Sequence, residues 1–359
     1  MAGIYAVFIL LFTIGWNKNK RAKNEQEFVH SFSIIIPFYN EQENIPNLLI
    51  DLEKLDYPRS MVEIIMINNE STDESGDIIR DYIFENDSKI RLHNSIGGKK
   101  DAVWKGINES EHDFVLSIDA DCRVPSKILQ QYNSLLLSSK VKMVSGPVVF
   151  AAKDSFWGKF MEFEFMSLVA SGAGAIGVGM PIMANAANML FDRKMALEAE
   201  HVFISEQESG DDIFLLQYVV NKYGAKSVSF LKSEDAIVVT DAPDSIKSWV
   251  NQRLRWTAKS KSYSINATSI TALVILSYSL LAVILISMSY INIKFLLLAF
   301  AVIAFKTIVD LPILYISSGF FDKKHILKYS IFFEIIYPFY VVIIAFTALF
   351  YGGKWKDEA

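Results

Sequence analysis

Four short apolar runs, SFSIIIP, EIIMI, KIRLH and FVLSI, are separated by three stretches whose apolar residues recur every three or four positions. The runs read as buried strands, and EQENIPNLLIDLEKL, STDESGDIIRDYIFEN and GKKDAVWKGINES read as helices between them. Strand and helix therefore alternate. That order predicts right-handed crossovers, a mainly parallel sheet covered on both faces, and ligands at the carboxyl ends of the strands. This globular region of ordinary polarity spans residues 28–260. No internal repeat or low-complexity tract is present.

The two ends of the chain have a different pattern. MAGIYAVFILLFTIGW carries no charged side chain and runs into KNKRAK, as a signal peptide or a membrane anchor would. The basic cluster follows the apolar run instead of preceding it, which favours an anchor over residues 1–17 and puts the chain after Lys18 in the cytoplasm. Toward the other end no charge occurs between Lys261 and Lys294, and further apolar stretches run from Phe295 to Ile316 and from Tyr329 to Tyr351. Residues 264–352 thus read as a transmembrane region of about three helices, with the basic loop DKKHILK cytoplasmic. Alternate counting would leave GGKWKDEA outside, against the preference of its two lysines, so one terminal segment reads as interfacial or re-entrant.

Composition agrees with two solvents. Of the 359 residues 52% are hydrophobic, and the mean hydropathy is +0.26, enough for a domain plus membrane segments. A net charge of -5 and a pI near 5.7 give no basic field, so nucleic acid is not an expected partner. The single cysteine, Cys122, excludes an intrachain disulfide, and the five histidines have no spacing suited to a structural zinc.

Polar residues gather where the strands end. After Pro37 the chain turns through Tyr39, Asn40 and Glu41, as a polar loop or as one wall of a ligand site. In NNESTD, Ser71 or Thr72 can cap a helix whose first turn holds Asp73 and Glu74, and the amides of Asn68 and Asn69 can read the edge of a base. GGKK, ahead of a helix, suits either a phosphate or a simple cap, and it lacks the P-loop spacing. In SIDADCRVP, residues i and i+2 of a strand share a face, so Asp119 and Asp121 can point into one crevice. Two carboxylates suffice for Mg²⁺ or Mn²⁺, which completes its shell with water and substrate phosphates, although aspartates also simply terminate strands. Cys122 reads as a packing residue. Asp211 and Asp212 stand at a helix entrance, as cap or as functional carboxylates. Gln252, Arg255 and Trp256 lie in SWVNQRLRWTAKSKSY, where Arg253, Lys259 and Lys261 read as an interfacial anchor.

Ordered together, IIIPFYNE, IMINNESTD, GKKDAV, the DxD of Asp119 and Asp121, SGDD and QRLRW resemble the family 2 glycosyltransferases. These are membrane-bound enzymes of GT-A fold that include cellulose and hyaluronan synthases and dolichyl-phosphate sugar transferases. The resemblance covers residues 31–260 and implies an α/β, Rossmann-like, mainly parallel mixed sheet with flanking helices. It implies that Pro37, Tyr39, Glu41, Asn69 and Asp73 line the substrate site, with Glu41 and Asn69 at the nucleotide base and ribose. Lys99 would approach the diphosphate, and Asp119 and Asp121 would hold the nucleotide-sugar and its Mg²⁺ or Mn²⁺. Asp212, with Asp211 in the preceding acidic place, matches the TED-type motif and would be the catalytic base. Gln252, Arg255 and Trp256 fit QxxRW and would close over diphosphate and acceptor. The family usually has an aspartate where Asn69 stands, which leaves the nucleotide open. ANAANMLFDR resembles the acceptor-side segment.

The implied activity is inverting, hexosyltransferase-type transfer from a UDP- or GDP-sugar to a lipid-linked or polysaccharide acceptor. The enzyme would be integral to the cell (inner or plasma) membrane, with its catalytic domain cytoplasmic. A non-catalytic nucleotide-sugar-binding assembly subunit is the alternative, and a transporter would need more spans. Two features stay open. The segment from Phe156 to Arg193 reads as an amphipathic piece at the membrane face or as a buried core helix, since Glu162 and Glu164 interrupt it. Lys306 and Asp310, four residues apart, and Glu334 form a polar path or a self-neutralising packing cluster.

Overall fold

The computed structural model describes residues 1–19, 27–204, 210–258 and 266–350. The chain forms two compact units, Asn19–Val149 with Met183–Asp241, and Met1–Lys18 with Phe150–Ile182 and Ala242–Ala359. KNKRAK beyond residue 19, Lys259, Lys261 and GGKWKDEA lie outside the described residues.

In the first unit, strand and helix alternate as the hydrophobic pattern predicts: β1 (Phe32–Phe38), α2 (Ile45–Glu53), β2 (Val62–Asn69), α3 (Ser75–Glu85), β3 (Arg91–Ser95), α4 (Lys99–Glu109) and β4 (Phe114–Ser117). These are followed by β5 (Cys122–Arg123), α5 (Ile128–Ser138), β6 (Met143–Ser145) and the start of β7 (Val148–Ala151). After an excursion into the other unit come β8 (Met189–Asp192), α7 (Arg193–Glu198), α8 (Glu200–Phe203), α9 (Asp211–Tyr223), β9 (Val228–Phe230) and β10 (Val238–Asp241).

Seven strands form one sheet in the order β3-β2-β1-β4-β8-β6-β9. β1 is parallel to β2 and β4, with Phe32 opposite Val62 and Phe114, and β3 continues the parallel half beside β2. β8 runs antiparallel to both β4 and β6, and β9 is parallel to β6. The sheet is therefore mixed. β1 is buried along its whole length, which is why IIIP reads as a continuous apolar run without alternation. Antiparallel β10 and β5 belong to a small second sheet with β7. ANAANM supplies a structural bond donor: buried Asn188 donates to the carbonyls of Pro147 and Ala236 at 3.0 Å and accepts from Tyr132 Oη at 2.7 Å.

The second unit contains α1 (Ala2–Lys18), α6 (Phe156–Gly177), α10 (Ile246–Ala258), α11 (Asn266–Met288), α12 (Lys294–Phe320) and α13 (Ser330–Ala348). Three helical stretches, Ala267–Met288, Lys294–Phe320 and Lys324–Ala348, are long and apolar enough to cross a membrane, and α1 is a shorter apolar helix. DKKHILK makes the 3-10 turn ahead of α13. The sequence boundary at 28–260 differs from this division, because Phe150–Ile182 and Ala242 onward group with the apolar helices. The reason lies in α6. It is buried on most sides, not amphipathic, and Gly15, Gly174 and Gly177 bring the backbones of α1 and α6 into contact, where any added Cβ would overlap a carbonyl oxygen.

Lys306 and Asp310 pair at 2.7 Å as their spacing predicts, and Lys306 also bonds Glu334 on α13. Tyr5 of α1 donates to Asp310 Oδ1 at 2.7 Å. With Lys306 occupied by two carboxylates, this buried cluster is a clasp between three helices and offers no free cation to a phosphate.

Candidate active site

β1, β2 and β4 are parallel, so their carboxyl ends open on the same edge of the sheet. Pro37 is buried within β1, opposite Ile67, and half-buried Tyr39 begins the turn. Asn40 has φ 52°, a left-handed conformation that asparagine tolerates better than most residues. Its Oδ1 accepts from Thr72 N at 2.8 Å, and its own N donates to Ser71 Oγ at 3.1 Å. Glu41 N donates to Ser75 Oγ at 2.8 Å. Ser71 and Thr72 therefore do not cap α3, which starts at Ser75 with no side-chain cap; their hydroxyls face the Asn40 turn. Asp73 accepts from Ser75 N at 3.0 Å and Gln42 N at 3.2 Å. Burial raises its pKa, but these bonds outweigh burial and hold it below the usual value. The turn after β1 is thereby stitched to the turn after β2.

Asn69, at the end of β2, is 6% exposed. Its Oδ1 accepts from Gly98 N at 3.0 Å and from Ser95 Oγ at 3.3 Å. A backbone N–H can only donate, so this partner fixes the carbonyl inward and leaves Nδ2 as the atom turned elsewhere. Gly97 and Gly98 have φ 103° and 96°, which explains the two glycines before α4.

Lys99, the first residue of α4, reaches the DxD: its Nζ lies 2.5 Å from Asp119 Oδ1. Burial opposes its charge, yet Asp119, Asp211 and Asp212 together hold its pKa above the ordinary lysine value. The next residue points elsewhere, since neighbours on a helix diverge by about 100°. Lys100 is 3% exposed, donates to Val202 O at 3.2 Å and lies 5.0 Å from the Phe214 ring centroid on α9. Of the two lysines in GGKK, Lys99 thus bonds the DxD and Lys100 a backbone carbonyl.

The DxD does not use the pleat of a strand. β4 ends at Ser117, and Asp119 to Asp121 form a turn closed by Cys122 N donating to Asp119 O at 3.2 Å. Arg123 holds the far side of that turn on α2 with a bidentate bond to Asp51, Nε to Oδ2 at 2.6 Å and Nη2 to Oδ1 at 2.8 Å. Burial first, then the charges of Asp119 and Glu41, push the Asp121 carboxyl up to about 6. Cys122 is 1% exposed, and burial raises its thiol pKa, as fits a packing residue.

Asp211 and Asp212 occupy the first turn of α9, whose cap is Gly210 at φ 102° with no side-chain cap bond. Asp211 is 4% exposed and its Oδ2 has no partner among the described residues. Asp212 is half-buried, with Oδ1 accepting from Ile213 N at 2.7 Å.

The donor set fits a divalent cation. Asp119 and Asp121 lie within electrostatic reach of Glu41, and an oxygen-seeking cation would offset the burial and the like charges that raise Asp121. Among the described residues no three or more His, Cys, Asp or Glu side chains are grouped to hold a metal alone, so remaining ligands would come from water and substrate phosphates.

Gln252, Arg255 and Trp256 lie on α10 in the apolar unit. Arg253 between them is no interfacial anchor: it is 3% exposed and paired with Glu164 of α6. The sequence signal was its place on one helical face with Trp249 and Trp256.

Comparison with known proteins agrees with this architecture. Residues 33–183 match Glycosyl transferase family 2 and residues 114–351, more than half of the chain, match Glycosyl transferase family group 2. The poly-beta-1,6-N-acetyl-D-glucosamine synthase of Staphylococcus epidermidis is 29% identical over 171 residues, 45% of this chain and 40% of that protein. The poly(ribitol-phosphate) beta-N-acetylglucosaminyltransferase TarS of Staphylococcus aureus is 29% identical over 123 residues, 32% of this chain and 22% of that protein. The chain thus spans less than half the length of these relatives. The mannosyltransferase PcManGT from Pyrobaculum calidifontis, solved with GDP-Man and Mn²⁺, shares the fold with a TM-score of 0.57 at 15% identity, over 97% of this chain and 99% of that one. The chain belongs to the family 2 glycosyltransferases and has their GT-A fold.

Proposed function

We propose that this glycosyltransferase is a membrane-anchored, divalent-cation-dependent, inverting enzyme with its catalytic unit in the cytoplasm. It moves a hexose from a nucleoside-diphosphate sugar to a hydroxyl of a lipid-linked or growing glycan. The observation that carries the reading is the convergence on Lys99, which bonds Asp119 of the DxD and feels the charges of both Asp211 and Asp212. Diphosphate binding and base chemistry are then neighbours. A relative named for poly-beta-1,6-N-acetyl-D-glucosamine synthesis and a structural neighbour bound to GDP-Man and Mn²⁺ support a nucleotide-sugar donor, a glycan product and a divalent cation.

In this reading Asp212 accepts the acceptor hydroxyl proton as the oxygen attacks the anomeric carbon, an assistance of about 100- to 10,000-fold. The bond from that carbon to the diphosphate oxygen breaks on the opposite face, so the configuration inverts. Lys99 stabilises the charge gathering on the leaving diphosphate, a role that the QxxRW resemblance also gives to Arg255. A cation held by Asp119 and Asp121, Mg²⁺ or Mn²⁺, supplies Lewis-acid neutralisation of the same charge. Glu41 and Asn69 hold base and ribose, the turn of Pro37, Tyr39 and Asp73 shapes that wall, and Gln252 and Trp256 serve diphosphate and acceptor. The domain assignment is an anchor at 1–17, a catalytic region within 28–260 and membrane helices over 264–352.

The test is nucleoside diphosphate release by the purified full chain with a panel of nucleotide-sugars, beginning with UDP-GlcNAc and GDP-Man. Asp212→Asn and Asp121→Ala should each lower turnover at least 100-fold. Release that survives both substitutions rejects these roles.

A further inference from the structure

The QRLRW segment contains a buried ion pair that its ligand-binding reading leaves unused. Arg253 is 3% exposed and Glu164 is 2% exposed. Arg253 Nε donates to Glu164 Oε1 at 3.2 Å and Oε2 at 3.1 Å, and Nη2 donates to Oε2. Tyr340 of α13 donates to Glu164 Oε1 at 3.2 Å. The other arm of the fork, Nη1, donates to Gln252 Oε1 at 2.8 Å. The guanidinium carbon lies 4.2 Å from the Trp256 ring centroid and 5.6 Å from that of Trp249. One rigid cation thus touches both motif residues that flank it.

Guanidinium has five donors and no acceptor. Gln252 must meet it with the carbonyl, which leaves the amide NH₂ as the group Gln252 can offer to a ligand. Trp256 is likewise held, because its ring lies against a planar cation that Glu164 prevents from rotating. Burying an arginine among apolar helices is costly, and packing alone would be served as well by apolar side chains of similar volume.

We propose that Arg253 and Glu164 are positioning residues that set Gln252 as a hydrogen-bond donor and fix the plane of Trp256, so that the motif presents an oriented amide and ring to an anionic oxygen of its ligand. The inference rests on the ligand-binding reading of Gln252 and Trp256 given above. Tyr340 extends the positioning to α13.

The experiment compares variants of the full chain in detergent, measuring thermal melting together with kcat and KM for the nucleotide-sugar that the panel identifies. Arg253→Met combined with Glu164→Met should melt like wild type yet lose at least tenfold in kcat/KM, and Gln252→Ala should cost nothing further in that background. Should the double variant not fold, Arg253→Lys keeps the charge pair but loses the second arm, and the same tenfold loss is expected at unchanged melting. Wild-type turnover in either variant, while Gln252→Ala alone loses tenfold, overturns the positioning role and leaves the motif reading standing. Full turnover in Gln252→Ala overturns the motif reading and this inference with it.

Discussion

Lys99 Nζ lies 2.5 Å from Asp119 Oδ1, across 20 positions of sequence, so an ion pair joins the loop read as phosphate-binding to the DxD turn. The lysine balances carboxylates that would otherwise repel one another. Lys99→Met should therefore raise the donor KM and lower kcat/KM for nucleoside diphosphate release by about 100-fold, the scale of removing one charge-stabilising donor. Because the folded-state pKa is raised, its stabilising contribution is present at every pH below the unfolded value of about 10.4 and is lost only as pH rises beyond it. Melting of wild type and Lys99→Met between pH 6 and 9 checks this, and equal melting counts against it.

In the proposed reading, Asp121 would make cation binding pH-dependent. Burial and its charged neighbours push its carboxyl up to about 6, so below that pH a cation would have to displace a proton, at a cost of about tenfold in affinity per pH unit. Calorimetry with Mn²⁺ in buffers of different ionisation enthalpy should show nearly one proton released per cation at pH 5 and nearly none at pH 7.5. Asp121→Asn should abolish the release. Without cation, the same raised pKa stabilises the fold fully below the unfolded value of about 3.9, and this contribution is lost as pH rises through 6.

In the proposed reading, Asn69 would set the polarity of the wall that faces the base. Its carbonyl is held by Gly98 N and Ser95 Oγ, so Asn69→Asp keeps both accepted bonds and replaces the amide donor with an acceptor. The ratio of UDP to GDP affinity, measured by competition, should change at least tenfold. An unchanged ratio would place Asn69 outside base recognition.

The clasp of Tyr5, Lys306, Asp310 and Glu334 predicts a stability asymmetry. Lys306→Met strands two buried carboxylates and should cost about 3–5 kcal/mol. Adding Asp310→Asn and Glu334→Gln to it should recover most of that loss, read as melting temperature in detergent.

Where α1 crosses α6, Gly174 leaves no room for a side chain against the Phe12 carbonyl. Gly174→Leu should separate the two helices, lowering the melting temperature and exposing buried Trp16 to a water-soluble quencher, whereas Gly3→Leu, in open space, should do neither.

The sequence determined the parallel half of the sheet, its crossover helices and the gathering of polar residues at strand ends, because periodicity and turn chemistry act over a few residues. FVLSI and GKKDAV needed no partner to be recognised. What tertiary structure decided was the partner of each polar side chain. Asp119 and Asp121 come together through a turn and not a strand face, Ser71 and Thr72 bond Asn40 instead of capping α3, and Arg253 leaves the interface for Glu164, 89 positions away. α6, with its glutamates and glycines, could be assigned only once α1 and Arg253 covered them. A buried charge takes whatever opposite charge the fold brings within reach, and that pairing depends on distances no local pattern encodes.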